Sequence, residues 1–171
     1  SYKMIGFIVL LVPISEIIIA FTNKILMKFN PTIPIPKLDF PKGLPDNCKT
    51  MVVMPTITKD PKRIQECFDS LEGYYISSRT KNLYFTLLGD CFANNEEFHE
   101  KDKEIVSTGE RIAKQLNQKY GKNVFYFVYR RRKYNKGEES WLGFERKRGA
   151  LLHFNELLLG RLSAEEQKEL F

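Results

Sequence analysis

The sequence predicts an α/β protein in which a three-layer, Rossmann-like parallel sheet follows one transmembrane helix. Three observations predict this fold class. An apolar run near the start of the chain is close to the ~20 residues that a membrane-spanning helix needs. Further on, short apolar segments rich in β-branched and aromatic residues alternate with segments whose apolar residues recur at helical spacing. Such alternation is typical of a parallel sheet with crossover helices, and charged residues follow each short segment.

The apolar run covers residues 4–21, MIGFIVLLVPISEIIIAF. A signal peptide and a buried core helix are the alternatives, but no small-residue cleavage site follows the run and the next residues offer no core around it. Glu16 is costly at mid-depth in a bilayer and would face other helices, so we expect further spans in the natural protein. Residues 1–29 are therefore predicted to form a transmembrane helix and its flank.

Lysines flank the apolar run unevenly. Lys3 precedes it, whereas the following lysines are Lys24, Lys28, Lys37, Lys42 and Lys49. The positive-inside rule then predicts the inner (cytoplasmic) membrane, with the soluble part in the cytoplasm. Prolines make residues 30–49 an extended linker by prediction, and residues 50–171 are predicted to form the sheet domain.

The first strand and helix of this domain have clear local signals. Residues 50–55 read as a buried strand and residues 56–59 as a turn. Asp60 is a predicted N-cap with Pro61 at the first helical position. The helix that follows has an apolar stripe made of Ile64, Cys67, Phe68, Leu71 and Tyr75.

The strand-and-helix pattern then recurs. Residues 82–90 are predicted as the second strand, and the next helix ends at Gly121. Residues 123–129 are the third predicted strand, and a basic stretch leads from it into a helix that ends at Gly160. A capping box at Ser163 and Glu166 begins another helix.

The net charge and the absence of certain motifs narrow the classes of ligand that the chain is expected to bind. Lys and Arg exceed Asp and Glu by 27 to 21, giving a net charge of +6. This mild excess suits an anionic small molecule, an anionic membrane surface or nucleic acid, but the last is not expected because no helix-turn-helix, RNP or zinc pattern is present. Cys48, Cys67 and Cys91 form no CxxC pattern, so we expect free thiols in a reducing compartment.

Ligands of parallel sheets bind beyond the carboxyl ends of the strands, so the residues there are the site candidates. Pro55 and Thr56 end the first predicted strand, and Asp90 ends the second. A carboxylate there can accept hydrogen bonds from a ribose or a base, and cations near a helix N-terminus can hold a diphosphate. The candidate cations are Arg130, Arg131, Arg132, Lys133, Arg146, Lys147 and Arg148.

Each candidate also has a simpler interpretation. Asp90 could be a helix cap or a solvated loop residue, and the basic stretch could be a solvated face or could lie on anionic lipid. Trp141 is best explained by packing. Neither a P-loop pattern nor a GxGxxG dinucleotide fingerprint is present.

Several segments together resemble the cyclic β-1,2-glucan synthase family. They are LLVPISEIIIAFTNKI, PIPKLDFPKGLP, TMVVMPT, LYFTLLGD and FVYRRRKYNKGEESWLGFERKRGALLHFNELLLG. The resemblance runs over nearly the whole chain, and RRRKYNKGEESWLGFERKRG is long enough to be specific. It implies a GT-A type glycosyltransferase domain that uses UDP-glucose at the cytoplasmic face and extends a β-1,2-glucan acceptor.

The resemblance also implies roles for particular residues. In processive inverting glycosyltransferases the position of Asp90 binds uridine, and the stretch KRGA is similar to a segment that borders the nucleotide. By that match Pro55, Thr56, Asp90, Lys147 and Arg148 are nucleotide-sugar-binding candidates. The chain has no Asp-x-Asp motif, so Mg or Mn, its ligands and the general base are expected outside these residues.

The sequence analysis thus favours the nucleotide-binding half of a truncated glycosyltransferase domain. These 171 residues alone are expected to lack transferase activity. The alternative is a membrane-tethered Rossmann-like module that binds a nucleotide or anionic lipid without catalysis.

Overall fold

The computed structural model describes residues 2–30 and 40–171. They divide into two units, one up to Asp39 and the other from Phe40 onward. The first unit contains one helix, α1, from Tyr2 to Phe29, which continues well past residue 21 and contains Pro13. None of its residues is buried, and it is long and apolar enough to cross a membrane.

The second unit contains the predicted sheet. Its elements are β1 (Thr50–Thr58), α2 (Pro61–Ser77), β2 (Leu83–Cys91), α3 (Glu100–Tyr120), β3 (Phe125–Arg130), β4 (Lys133–Asn135), β5 (Ser140–Leu142), α4 (Arg146–Leu158) and α5 (Ala164–Leu170). The first three strands form one sheet in the order β1-β2-β3, and both pairings are parallel. The predicted fold class, a parallel α/β sheet after one apolar helix, is confirmed.

Helices cover both faces of the sheet. On one face α2 and α3 pack against β2 and β3 around Phe68, Leu71 and Phe85. On the other face Ala150 and Phe154 of α4 pack on Leu88 of β2. The two faces alternate along β2 because successive side chains of a strand point in opposite directions. The core therefore has three layers, as the sequence predicts.

The helix ends also follow their sequence signals. The Asp60 side chain accepts a hydrogen bond from the Arg63 backbone N–H at 2.9 Å, with Pro61 beginning α2. Gly121 ends α3 in the left-handed conformation at φ 62°. Ser163 and Glu166 form the capping box of α5.

Two local predictions are wrong. Residues 56–59 are not a turn, because β1 continues to Thr58, where it pairs with Cys91. The basic stretch after β3 contains an antiparallel hairpin, β4–β5, that the sequence analysis did not predict. Each strand of this hairpin is too short for a period-2 pattern to reveal it.

The chain before β1 is folded in part. Cys48 N–H donates to Pro45 O at 2.9 Å, and the Asn82 side chain donates to Leu44 O at 2.9 Å. Residues 31–39 of the predicted linker lie outside the described residues.

Candidate functional site

The carboxyl ends of β1 and β2 bring three of the five predicted site residues to one rim. Pro55 is the register partner of Leu88, Thr56 that of Gly89, and Ile57 that of Asp90. Strand β1 ends only at Thr58, whose hydroxyl donates to Asp90 O at 3.1 Å. Pro55, Thr56 and Asp90 are therefore neighbours, although Pro55 and Thr56 lie within the strand and not at its end.

Asp90 is neither a helix cap nor a solvated loop residue. It is 2% exposed, and its carboxylate accepts two hydrogen bonds from the buried Arg130 guanidinium. The Nε–Oδ1 distance is 2.8 Å and the Nη2–Oδ2 distance is 2.9 Å. This fork geometry is the strong, bidentate form of a charge-assisted pair. The pair joins the carboxyl ends of β2 and β3 at the rim of the sheet, beneath the surface.

The Arg130 guanidinium also holds the beginning of α4. Its Nη1 donates to Phe144 O and its Nη2 to Arg146 O, each at 3.0 Å. The first turn of α4 thereby lies beside Asp90. Lys147 and Arg148 belong to this turn, but both side chains are exposed, and Arg148 contacts Glu145 at 3.4 Å.

A second buried guanidinium holds the loop between β2 and α3. Arg132 is 4% exposed and forms an ion pair with Asp102, which also accepts a hydrogen bond from the Tyr129 hydroxyl at 2.9 Å. Arg132 Nε donates to Phe92 O at 2.8 Å, and its guanidinium lies over the Phe92 ring. Two of the five cations in the basic stretch, residues 130–140, are therefore structural, not part of a solvated face.

The environment of Asp102 favours its charged form. Burial alone would raise the pKa of this carboxyl group, but hydrogen bonds from Arg132, from the His99 backbone N–H and from Tyr129 outweigh burial. The net effect is a pKa below the ordinary value. Burial and the hydrogen bond to Asp102 raise the pKa of Tyr129, so its hydroxyl stays protonated as the donor.

Between these two anchored segments an open cleft of about 490 Å³ lies at the carboxyl edge of the sheet. Its lining comes from the end of β1, the loop after β2, and the first turns of α3 and α4. The lining residues are Ile57, Lys59, Phe92, Ala93, His99, Lys101 and Arg146. Three of them are cations, and none is Asp or Glu.

The beginning of α3 also borders this cleft, and its first turn carries the acidic residues Glu100 and Asp102. His99 is the N-cap, and its Nδ1 accepts from the Lys101 backbone N–H at 3.2 Å. A helix N-terminus carries a partial positive charge and favours anions. The Phe92 and His99 rings pack edge to face, with 5.1 Å between their centroids, and together form one wall of the cleft.

This arrangement suits a phosphate or diphosphate group and does not suit a divalent cation. Lysine, arginine and a helix N-terminus bind phosphate oxygens, whereas Mg²⁺ prefers carboxylates and carbonyls. Across the described residues, no group of three or more His, Cys, Asp or Glu side chains could hold a metal ion. A larger cleft of about 650 Å³ lies along β3, where Asp102 and Glu110 offset the charges of Lys103 and Arg131 among mainly apolar residues, which suits a diphosphate poorly.

The sequence analysis missed part of this cleft. Lys59, His99 and Lys101 were not candidates, and Arg146 was considered only within a long basic stretch. A signal for Lys59 was available, because it directly follows the first strand once the strand is extended to Thr58. The position of Lys101 depends on where the loop after β2 returns, and short-range sequence patterns do not predict this.

Comparison with known proteins indicates a relationship to one family. No family model matches the sequence. The chain is 30% identical over 161 residues to the cyclic beta-(1,2)-glucan synthase NdvB of Rhizobium meliloti (strain 1021). The match includes 92% of this chain. Over these residues the match supports a relationship to the cyclic β-(1,2)-glucan synthase family.

The matched part is a small share of that relative. The chain spans 6% of the length of the Rhizobium cyclic glucan synthase. The match relates the chain to a glucan synthase, which is a glycosyltransferase, and agrees with the resemblance seen in the sequence. The parallel sheet, the cationic cleft and the apolar helix α1 are thus features of a chain related to that enzyme class.

Proposed function

We propose that this chain forms the nucleotide-binding part of a membrane glycosyltransferase that transfers glucose from UDP-glucose to a growing β-1,2-glucan. The observation that carries the proposal is the cleft at the carboxyl edge of the sheet, where Lys59, Lys101 and Arg146 converge without a carboxylate. Open α/β sheets bind nucleotides at this edge. The family relationship supports a sugar donor and a glucan acceptor as the two substrates.

In this proposal the diphosphate of UDP-glucose lies in the cleft. The three cations bind its oxygens, and the N-terminus of α3 adds backbone dipole stabilisation. Thr56 lies on the adjacent rim, where the sequence match assigns the uridine, and the Asp90 carboxylate is buried behind it against Arg130. The specific roles of Pro55, Thr56, Asp90, Lys147 and Arg148 remain part of the proposal.

The reaction proposed for the whole enzyme is a single displacement by an acceptor hydroxyl at the anomeric carbon. The residues of this chain would bind and orient the donor, and would stabilise charge on the leaving diphosphate. Among the described residues, the cleft lining has no carboxylate to bind Mg or Mn or to act as a general base, so we propose that both groups lie outside these residues. We accordingly propose that the 171 residues alone have no transferase activity.

The proposal of a membrane location rests on the apolar helix α1. Helix α1 would anchor the protein in the inner (cytoplasmic) membrane, and the excess of lysines on its C-terminal side favours a cytoplasmic sheet domain. This places the cleft in the compartment that supplies nucleotide sugars.

A UDP titration of the full-length protein tests the proposal. We expect Lys59→Gln, Lys101→Gln and Arg146→Gln each to weaken UDP binding by about tenfold, because each removes a charge-assisted contact to a phosphate. The loss should be smaller at high salt, since exposed charges are screened. Lys122→Gln is the matched control, because it removes the same charge beside the amino end of β3. Equal affinity in all four variants would refute the proposal.

One observation favours the alternative, a membrane-tethered module that binds anionic lipid. The outer face of α4 exposes Leu151, Leu152, Leu158 and Leu159, with Lys147 and Arg148 beside them. Leucines combined with cations are typical of helices that lie on anionic membranes. A polarity-sensitive label at Leu159→Cys, in a Cys48→Ser background, would report contact with phosphatidylglycerol vesicles. A spectral shift without any UDP binding would favour this alternative.

A further inference from the structure

The Arg130 side chain has an unusual position for a charged group. It is the largest fully buried side chain of the described residues, at 1% exposure. Its guanidinium donates to three residues in two segments: Asp90 at the end of β2, and Phe144 and Arg146 in the turn that begins α4. A lysine could neutralise Asp90 but could not reach three acceptors in one plane.

The turn that Arg130 holds is unfavourable for its sequence. Glu145 has φ 55° and Arg146 has φ 47°, so two consecutive non-glycine residues adopt the left-handed conformation. Such conformations cost of order 1–3 kcal/mol each and persist only where the surroundings impose them. The N-cap residue, Glu145, makes no side-chain capping hydrogen bond. The hydrogen bonds from Arg130 to Phe144 O and Arg146 O are therefore a main constraint on this turn.

Two glycines allow the guanidinium to approach the turn. A Cβ atom at Gly143 would overlap Arg130 Nη2 and Asp90 Oδ1. A Cβ atom at Gly149 would overlap Phe144 O and lie 2.9 Å from Arg130 Nη1. Backbone and guanidinium are thus packed so closely that a single methyl group at either position would displace them.

The turn places one residue of the proposed phosphate cleft. The side chain of Arg146 lines the cleft together with Lys59 and Lys101. Its direction follows from the left-handed backbone of Glu145 and Arg146, which Arg130 stabilises. Arg130 itself is buried behind Asp90 and does not line the cleft.

We propose that Arg130 is a positioning residue for the phosphate cleft: its buried guanidinium holds the turn before α4 so that Arg146 faces the bound diphosphate. This inference rests on the proposed function and extends it to a residue that does not touch the ligand. In this proposal the buried ion pair between Arg130 and Asp90 stabilises the cleft without contacting the ligand. Affinity for the diphosphate then depends on Arg130 through Arg146.

A double-mutant cycle tests this dependence with UDP as the probe and the full-length protein. We expect Arg146→Gln and Arg130→Lys each to weaken UDP binding about tenfold. The double variant should be no weaker than Arg146→Gln by more than about twofold, because the two residues act through one contact. Losses that multiply to about a hundredfold would overturn the inference. A change that is merely structural does not produce this non-additivity.

Two further variants keep the test decisive. Gly149→Ala retains the side chains of Arg130 and Asp90 but displaces the turn, and it should lose affinity in the same non-additive way. Leu71→Ala destabilises the core on α2, away from the turn, and should leave UDP affinity unchanged. Comparable losses in Leu71→Ala would indicate a general stability effect and overturn the inference.

Hydrogen exchange gives a readout without any ligand. We expect the amides of residues 143–149 to exchange at least tenfold faster in Arg130→Lys than in the wild type, whereas α2 should not change. Unchanged exchange there would overturn the positioning role. If the wild type does not bind UDP, the proposed function fails and this inference fails with it. If Arg146→Gln weakens binding but Arg130→Lys does not, the inference alone fails.

Discussion

At the residue scale, buried charged side chains organise the carboxyl edge of the sheet. Arg130 and Arg132 are buried while Arg131, between them, is exposed. Their partners differ, because Arg130 contacts the turn before α4 whereas Arg132 contacts Asp102 of α3. The run RRRK does not reveal which of its arginines are buried, because hydrophobic patterns do not distinguish a buried arginine from a solvated one.

The Asp90–Arg130 pair yields a stability prediction. Asp90→Ala should lower the free energy of unfolding by about 3–5 kcal/mol, because it leaves a buried guanidinium without its counter-charge. Chemical denaturation followed by Trp141 fluorescence measures this. Glu96→Ala, in an exposed loop, is the control and should change stability little. A loss below about 1 kcal/mol in Asp90→Ala would show that the pair is not structural.

The ion pair of Asp102 predicts how the stability of the protein changes at acidic pH. Its pKa is lowered in the folded protein, so its contribution to stability is present above the unfolded pKa of about 3.9 and is lost as the pH falls through the folded value. Asp102→Asn should therefore melt at a lower temperature than the wild type at pH 7. This difference should narrow below about pH 4. Melting curves from pH 7 to pH 3 measure it, and a constant difference would contradict the account.

At the element scale, the strands and helices with strong local signals were predictable and the irregular connections were not. The apolar stripe of α2 and its cap at Asp60 follow directly from residue spacing. The end of β1 was misplaced because Pro55 and Thr56 resemble a turn, yet the parallel partner β2 carries the strand on to Thr58. The hairpin β4–β5 depends on non-local contacts such as the bridge between Asn94 and Trp141.

Hydrogen bonds at both ends of the outer edge of β3 protect it from pairing with another strand. The Asn117 side chain accepts hydrogen bonds from the backbone N–H groups of Val124 and Phe125 at 2.9 Å, and donates to Phe125 O at 2.8 Å. At the other end of the strand, Arg131 N–H donates to Leu170 O at 2.8 Å. Both ends of this edge are therefore occupied, which discourages pairing with another strand.

Removing the Asn117 side chain should destabilise the start of β3. Asn117→Ala deletes three hydrogen bonds at a half-buried site, so we expect the free energy of unfolding to fall by about 1–3 kcal/mol. Amide exchange at Phe125 should accelerate more than exchange at Leu87 in the centre of the sheet. Gln118→Ala, one residue further along the exposed side of α3, is the control. Equal effects of the two substitutions would contradict this role of Asn117.

At the scale of the whole molecule, topology explains why the cleft lies beside β1. Helices α2 and α3 lie on one face of the sheet and α4 returns over the other, towards β1. With β3 protected at both ends, we expect the outer edge of β1 to receive any further strand in the full-length protein. A change of winding direction at β1 is where doubly wound sheets bind nucleotides. The sequence predicted this architecture, because the alternation of strands and helices restricts the possible topologies.

The site was predictable only in part. The rim of Thr56 and Asp90 follows from the parallel pairing of β1 and β2, because the carboxyl ends of neighbouring parallel strands meet at one edge of the sheet. The cleft does not, because it depends on two buried guanidiniums that hold the loop before α3 and the turn before α4. Both guanidiniums occur in one basic stretch, whose residues the sequence could not separate into buried and exposed.

The most direct test of the central claim is an experimental structure of the full-length protein with UDP bound. The account predicts that the diphosphate lies in the cleft, within hydrogen-bonding distance of Lys59, Lys101 and Arg146, with the Asp90–Arg130 pair intact behind it. A diphosphate bound elsewhere, with these three side chains free of contact to it, would contradict the account.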